Sequence, residues 1–254
     1  MWMLALADAA IAAEVRDFTP GGGGPSATVV VSPGFSIVGF LPLIRRFSAD
    51  GFDVHTVEFA CAGQTRAELE QELRTSLSAL PPGQTLVAHG LGATVALGAK
   101  PDVKRYILLA PLLDIRPMAA TSWAAALPTG PSVDLTPSPE WSGQSLKDVL
   151  LGEPPPLTCG SGPLVREVQG WVREGHIPLA LEEVDAPVWI GVSLGDELAT
   201  VEAVIPAARR LPNRTILRLG LNALQGRDFS HGAMLTHRIP LRAAVRAARH
   251  RKPR

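Results

Sequence analysis

The stretch TLVAHGLGATVAL, residues 85–97, constrains this chain more than any other. An apolar run of strand length ends in a turn of small residues, and a second apolar run begins at once. Such a join sets the end of a strand against the start of a helix with no loop between them. The two backbones must pass closely, and Ala88 and Gly92 are the small residues that permit it. A buried strand that hands directly to a helix belongs in a parallel sheet flanked by helices. Gly90 stands at the centre of the turn.

The same alternation runs along most of the chain. The β-branched run at residues 27–32 reads as a buried parallel strand, and Phe40, Leu41, Ile44 and Phe47 then line one face of a helix that Gly51 ends. Residues 53–59 form the next strand. Thr65 and Glu68 make a capping box ahead of a helix whose apolar stripe is Leu69, Leu73, Leu77 and Leu80. Strands at 84–89, 105–110, 187–193 and 214–219 alternate with helices at 91–99 and 197–210. This order predicts an α/β fold with a mostly parallel central sheet and helices on both faces. Residues 2–6 and 11–18 read as two further strands that can form an antiparallel edge.

One interval breaks the pattern. Residues 112–186 hold ten of the 23 prolines, Trp123, Trp141 and Trp171, and only short helical signals near 146–151 and 164–173. An insertion of this length between sheet strands predicts a lid over the carboxyl end of the sheet. The expected organisation is a core of residues 1–111 and 187–254 with a lid or cap insertion at 112–186. With 254 residues, 46% hydrophobic and 19% charged, the chain has the size and core content of one large domain.

Charge and composition narrow the partners. Formal net charge is zero, so the molecule as a whole offers no electrostatic case for nucleic acid. No apolar run reaches the roughly 20 residues that span a bilayer. The apolar opening lacks a basic start and is interrupted by Asp8, while Cys61 and Cys159 lie far apart without metal-ligand spacing. A cytoplasmic protein is the expectation. The glycine run at 21–24 precedes a strand and has no helix to receive a phosphate, so it reads as a flexible connection. Nothing points to a metal, nucleotide or flavin cofactor, and the oligomeric state stays open. At the end, Arg242, Arg246 and Arg249 recur at helical spacing while Leu241, Ala244, Val245 and Ala248 face the body. This predicts a terminal helix with cations at the negative end of its dipole; contact with an anionic partner is the second reading.

With the strand order in hand, the turn at Gly90 has the small-x-nucleophile-x-Gly layout of a nucleophile elbow. The chain here resembles the α/β-hydrolase family of serine esterases, lipases and thioesterases, and the resemblance covers nearly all of it. VVVSPGF is similar to the family's oxyanion strand and loop, AHGLG to its elbow, GVSLGDE to the turn that supplies the acid, and FSHGAML to the segment that carries the histidine. The order nucleophile, acid, histidine is the family's.

The resemblance implies roles for particular residues. His231 would be the base and Asp196, which could equally cap a helix, would orient it. Asp114 is the alternative acid. The backbone N–H groups of Phe35 and Leu91 would form the oxyanion hole. His89, beside the elbow, is more often structural than catalytic. Gly90 holds the nucleophile position, and there the resemblance fails, because glycine has no side chain to form an acyl-enzyme. It also adopts the elbow conformation without strain. Ser32, Ser36, Ser193 and Ser230 fall near strand ends on the same side, but none lies in an elbow that would activate it.

Three readings follow for a small, mainly apolar acyl or carbonyl compound as ligand. In one, the pocket runs ester or thioester hydrolysis, or a lyase or cyclase step, on a His–Asp base without a covalent intermediate. In another the chain is a pseudo-hydrolase that binds a ligand or partner. In the third it is an ordinary serine hydrolase bearing one substitution, and Gly90→Ser then creates esterase activity at a site otherwise intact. That last outcome is the one the sequence favours.

Overall fold

The computed structural model describes residues 13–18, 23–33, 35, 37–59, 64–115, 163–196, 198–220, 229 and 231–249. The predicted strand at 2–6, the helical signal at 146–151, both cysteines, Ser36 and Ser230 lie outside them.

Seven strands form one sheet: β1 (Glu14–Asp17), β2 (Ser26–Val30), β3 (Asp53–Glu58), β4 (Thr85–His89), β5 (Arg105–Leu109), β6 (Val188–Val192) and β7 (Arg214–Arg218). Their order across the sheet is β1-β3-β2-β4-β5-β6-β7. β1, the second of the two expected edge strands, runs antiparallel to β3, and every other pairing is parallel. β4 lies at the centre with all its residues buried, as a strand covered on both faces requires.

The helices are α1 (Leu41–Ala49), α2 (Arg66–Ser78), α3 (Gly90–Ala99), α4 (Pro163–Glu174), α5 (Val201–Ala208), α6 (Ala233–Thr236) and α7 (Arg238–Arg249). α2 packs on α3, whereas α1 packs on α7, which also lies on β5 and β6. The expected capping box opens α2: the Thr65 hydroxyl accepts from the Glu68 N–H, and the Glu68 side chain accepts from the Thr65 N–H. α7 buries Pro240, Leu241, Ala244, Val245 and Ala248 and leaves Arg238, Arg242, Arg246 and Arg249 exposed. Among the described residues no helix is long and apolar enough to cross a membrane.

Two local readings change. The helix expected at 197–210 begins only at Val201, because Asp196 accepts from the N–H groups of Leu198 (2.9 Å) and Ala199 (2.8 Å) in a turn of its own. Thr200 is the N-cap, its hydroxyl accepting from the Ala203 N–H at 3.3 Å. At Gly24 the glycine run is more than a flexible connection. A Cβ on Gly24 would stand 2.1 Å from the Gly51 carbonyl oxygen, so the entry to β2 passes too close to the α1–β3 turn for any side chain.

Within the predicted insertion, α4 is fastened to the start of α2 by Arg66. The Arg66 N–H donates to the Glu167 carboxylate at 2.9 Å, its guanidinium donates to the Pro178 carbonyl at 3.0 Å, and the same group lies 5.5 Å from the Trp171 ring centroid. The first turn of a helix leaves N–H groups without intrahelical acceptors, and Glu167 supplies one together with a charge that suits the helix's positive end.

Candidate active site

The site is built at the carboxyl ends of β2, β4 and β6. β4 ends at His89 in extended conformation and α3 begins at Gly90, whose φ of +52° lies in the left-handed region. A side chain costs roughly 1 kcal/mol or more in that region, and glycine costs nothing. Gly92, one turn position on, meets the end of β2. A Cβ there would stand 3.0 Å from Ser32 Oγ, so the helix start presses directly on that residue.

Ser32 Oγ binds the elbow at two points. It donates to the His89 carbonyl at 2.6 Å and accepts from the Gly92 N–H at 3.2 Å. Its one proton is therefore committed to a carbonyl, which removes it as a stand-in nucleophile. Ser193 Oγ is engaged as an acceptor, from the N–H groups of Phe229 (2.9 Å) and Gly195 (3.4 Å). Both hydroxyls hold loops together, and the sequence showed only that they lay near strand ends.

Against this frame stand His231 and Asp196. His231 Nδ1 lies 2.9 Å from Asp196 Oδ2 and 3.1 Å from Oδ1, with both side chains buried. A carboxylate only accepts, so Nδ1 carries the proton and the lone pair is on Nε2. Burial opposes ionisation of Asp196, yet the His231 ring and the N–H groups of Ala199 and Leu198 hold its carboxyl below the ordinary range. Capping its own turn and pairing with the histidine are thus joint tasks of one carboxylate. Asp114, the alternative acid, accepts the N–H of Ile115 at 2.9 Å.

His231 Nε2 is aimed at the elbow. It lies 2.9 Å from the point where a Cβ on Gly90 would stand. Of the two expected oxyanion donors, Leu91 sits in the first turn of α3, where its N–H has no intrahelical acceptor. The Phe35 N–H donates to the Ser32 carbonyl at 3.0 Å and so closes a turn. His89 packs beneath, its ring centroid 4.2 Å from that of His231. Burial and the neighbouring imidazole push its pKa down to about 3. Among the described residues no group of three or more His, Cys, Asp or Glu side chains gathers as metal ligands would.

No family model and no curated protein matches the sequence. Solved structures do match. A monoacylglycerol lipase from Paleococcus ferrophilus superposes with a TM-score of 0.64 over 93% of this chain and 98% of its own, at 17% identity. An esterase from Exiguobacterium antarcticum gives a TM-score of 0.64 at 12% identity, covering 94% of this chain and 96% of its own. The thioesterase domain from the curacin biosynthetic pathway gives 0.57 at 12% identity, over 93% and 99%. The chain has the α/β-hydrolase fold. The strand-to-helix turn that follows its central strand β4 holds Gly90.

Proposed function

We propose that this protein carries out hydrolase-type chemistry on a small, mainly apolar ester or thioester, with His231 and Asp196 as a general base and with no covalent acyl-enzyme. The reading rests on one observation: His231 Nε2 stands 2.9 Å from the Cβ point of Gly90, inside the volume that a serine would need. The base is drawn up to the elbow rather than held back from it.

In the step this arrangement supports, a water oxygen attacks the acyl carbon while its proton passes to His231 Nε2. The imidazolium that forms is stabilised by Asp196. The oxyanion is met by the Leu91 N–H at the positive end of α3, a helix of ten residues. Collapse of the tetrahedral intermediate returns the proton to the departing alkoxide or thiolate. Hydrolases deprived of a triad member keep roughly 10³–10⁴ over the reaction in water, so modest rates are expected. The insertion at 112–186 is read as the cap of this pocket.

The alternative is a ligand-binding protein without turnover, and the Phe35 N–H spent on the Ser32 carbonyl favours it, because it engages one of the two donors. A panel of short acyl p-nitrophenyl esters and acyl thioesters separates the two. Turnover by the native protein that His231→Ala abolishes supports the base. Ligand binding with no turnover on any substrate, and His231→Ala altering affinity alone, supports the alternative.

A further inference from the structure

A second imidazole at the site has no part in that chemistry. His89 is 1% exposed and ends β4 one residue before Gly90. Its Nε2 lies 2.9 Å from the His231 carbonyl oxygen. Since a carbonyl only accepts, Nε2 carries the proton, and Nδ1 is left buried with no hydrogen-bond partner among the described residues. A phenyl ring would fill this space, already edged by Phe40 at 6.3 Å, without stranding a polar atom. What a phenyl ring lacks is the donor to His231.

That donor is one link of a longer tie. The Gly92 N–H donates to Ser32 Oγ, Ser32 Oγ donates to the His89 carbonyl, and the His89 ring donates to the His231 carbonyl. From the other side, Phe229 is held by Ser193 in the acid turn. Asp196 fixes the direction of the His231 ring through Nδ1, but a hydrogen bond at one ring atom does not fix the backbone from which the ring hangs.

We infer that His89 is a positioning residue: it ties the His231 backbone to the elbow and so sets where His231 Nε2 stands over Gly90. The inference rests on the reading of His231 as the base. A displacement of the order of 1 Å is enough to cost about 100-fold in rate where geometry is decisive.

The test compares native protein, His89→Phe and His89→Gln, with ¹⁵N-histidine NMR of the His231 Nδ1–H as the first readout and ester turnover as the second. In a folded His89→Phe protein the His231 Nδ1–H signal broadens or shifts, and kcat falls about 10- to 100-fold with KM little changed. His89→Gln, which restores an N–H of similar reach, recovers the signal. An unchanged His231 signal in folded His89→Phe overturns the inference. Should His89→Phe fail to fold, Ser32→Ala cuts the same tie one link away, and an unchanged signal there is equally fatal. The NMR arm stands without turnover, so an inactive native protein removes the proposed chemistry and leaves the positioning role to be judged on the signal alone.

Discussion

His231 Nε2 and the backbone of Gly90 approach so closely that a methyl group on the glycine would lie 2.9 Å from the ring nitrogen. Real Cβ atoms essentially never stand that near to a non-bonded heavy atom, so a side chain at position 90 displaces the imidazole or is itself displaced.

Gly90→Ser is therefore expected to do less than the sequence alone suggests. The substitution must hold a side chain at φ +52° and move a ring that is paired to Asp196. A loss of about 1–3 kcal/mol in urea unfolding is expected, together with slow or absent labelling by a fluorophosphonate and weaker turnover than the native protein. Rapid labelling at undiminished stability would show that His231 gives way freely and that the site is a serine hydrolase short of one hydroxyl.

Asp196→Asn should lower kcat/KM by about 10³–10⁴, because an amide does not hold the proton on Nδ1 as a carboxylate does. The caps of Leu198 and Ala199 need only an oxygen, so the fold should persist in circular dichroism. Asp114→Asn should leave the rate unchanged. A reversal of these two effects would move the acid to Asp114.

Stability should fall on acidification. His89 in the folded protein titrates near pH 3, against an ordinary value of 6.5. Between those limits the unfolded chain binds a proton that the folded one refuses, so stability is full above pH 6.5 and is lost as pH falls toward 3. At about 1.4 kcal/mol per pKa unit the loss amounts to ~4–5 kcal/mol. Asp196, held below its ordinary range, adds a loss of the same sign below about pH 4. Urea midpoints at pH 7 and pH 4 measure the effect, and His89→Phe should flatten it; a native protein equally stable at both values would contradict it.

Two glycines offer a paired test of packing. Gly24→Ala must push a methyl into the Gly51 carbonyl, 2.1 Å away, and should cost about 2–3 kcal/mol. Gly39→Ala meets nothing within 4 Å and should be neutral or stabilise by about 0.5 kcal/mol, since it restricts the unfolded chain. Differential scanning calorimetry of both variants decides whether the entry to β2 is as tight as it stands.

Local features of this protein could be read from local sequence. The elbow was visible because a buried strand and a small-residue helix start lie side by side in the chain, and the start of α2 because a capping box is complete within four residues, Thr65 to Glu68. Asp196 was legible as a cap for the same reason. Non-local relations were not legible. That Gly24 passes Gly51, that Ser32 spans His89 and Gly92, and that His89 reaches His231 across 142 positions depend on how the sheet assembles. The delayed start of α5 had its signal in Thr200, a good N-cap that competed with the earlier Asp196.

β7 brings a different matter into view. Among the described residues no strand lies beyond it, and Leu217 stands 42% exposed on this open edge. A free edge of this kind invites a neighbouring molecule to extend the sheet. Were two copies to pair antiparallel about Ile216, Arg214 of each would face Arg218 of the other, and like charges set directly opposite repel. Arginines at the two ends of the strand thus set like charges against fibre-like stacking of the molecule upon itself.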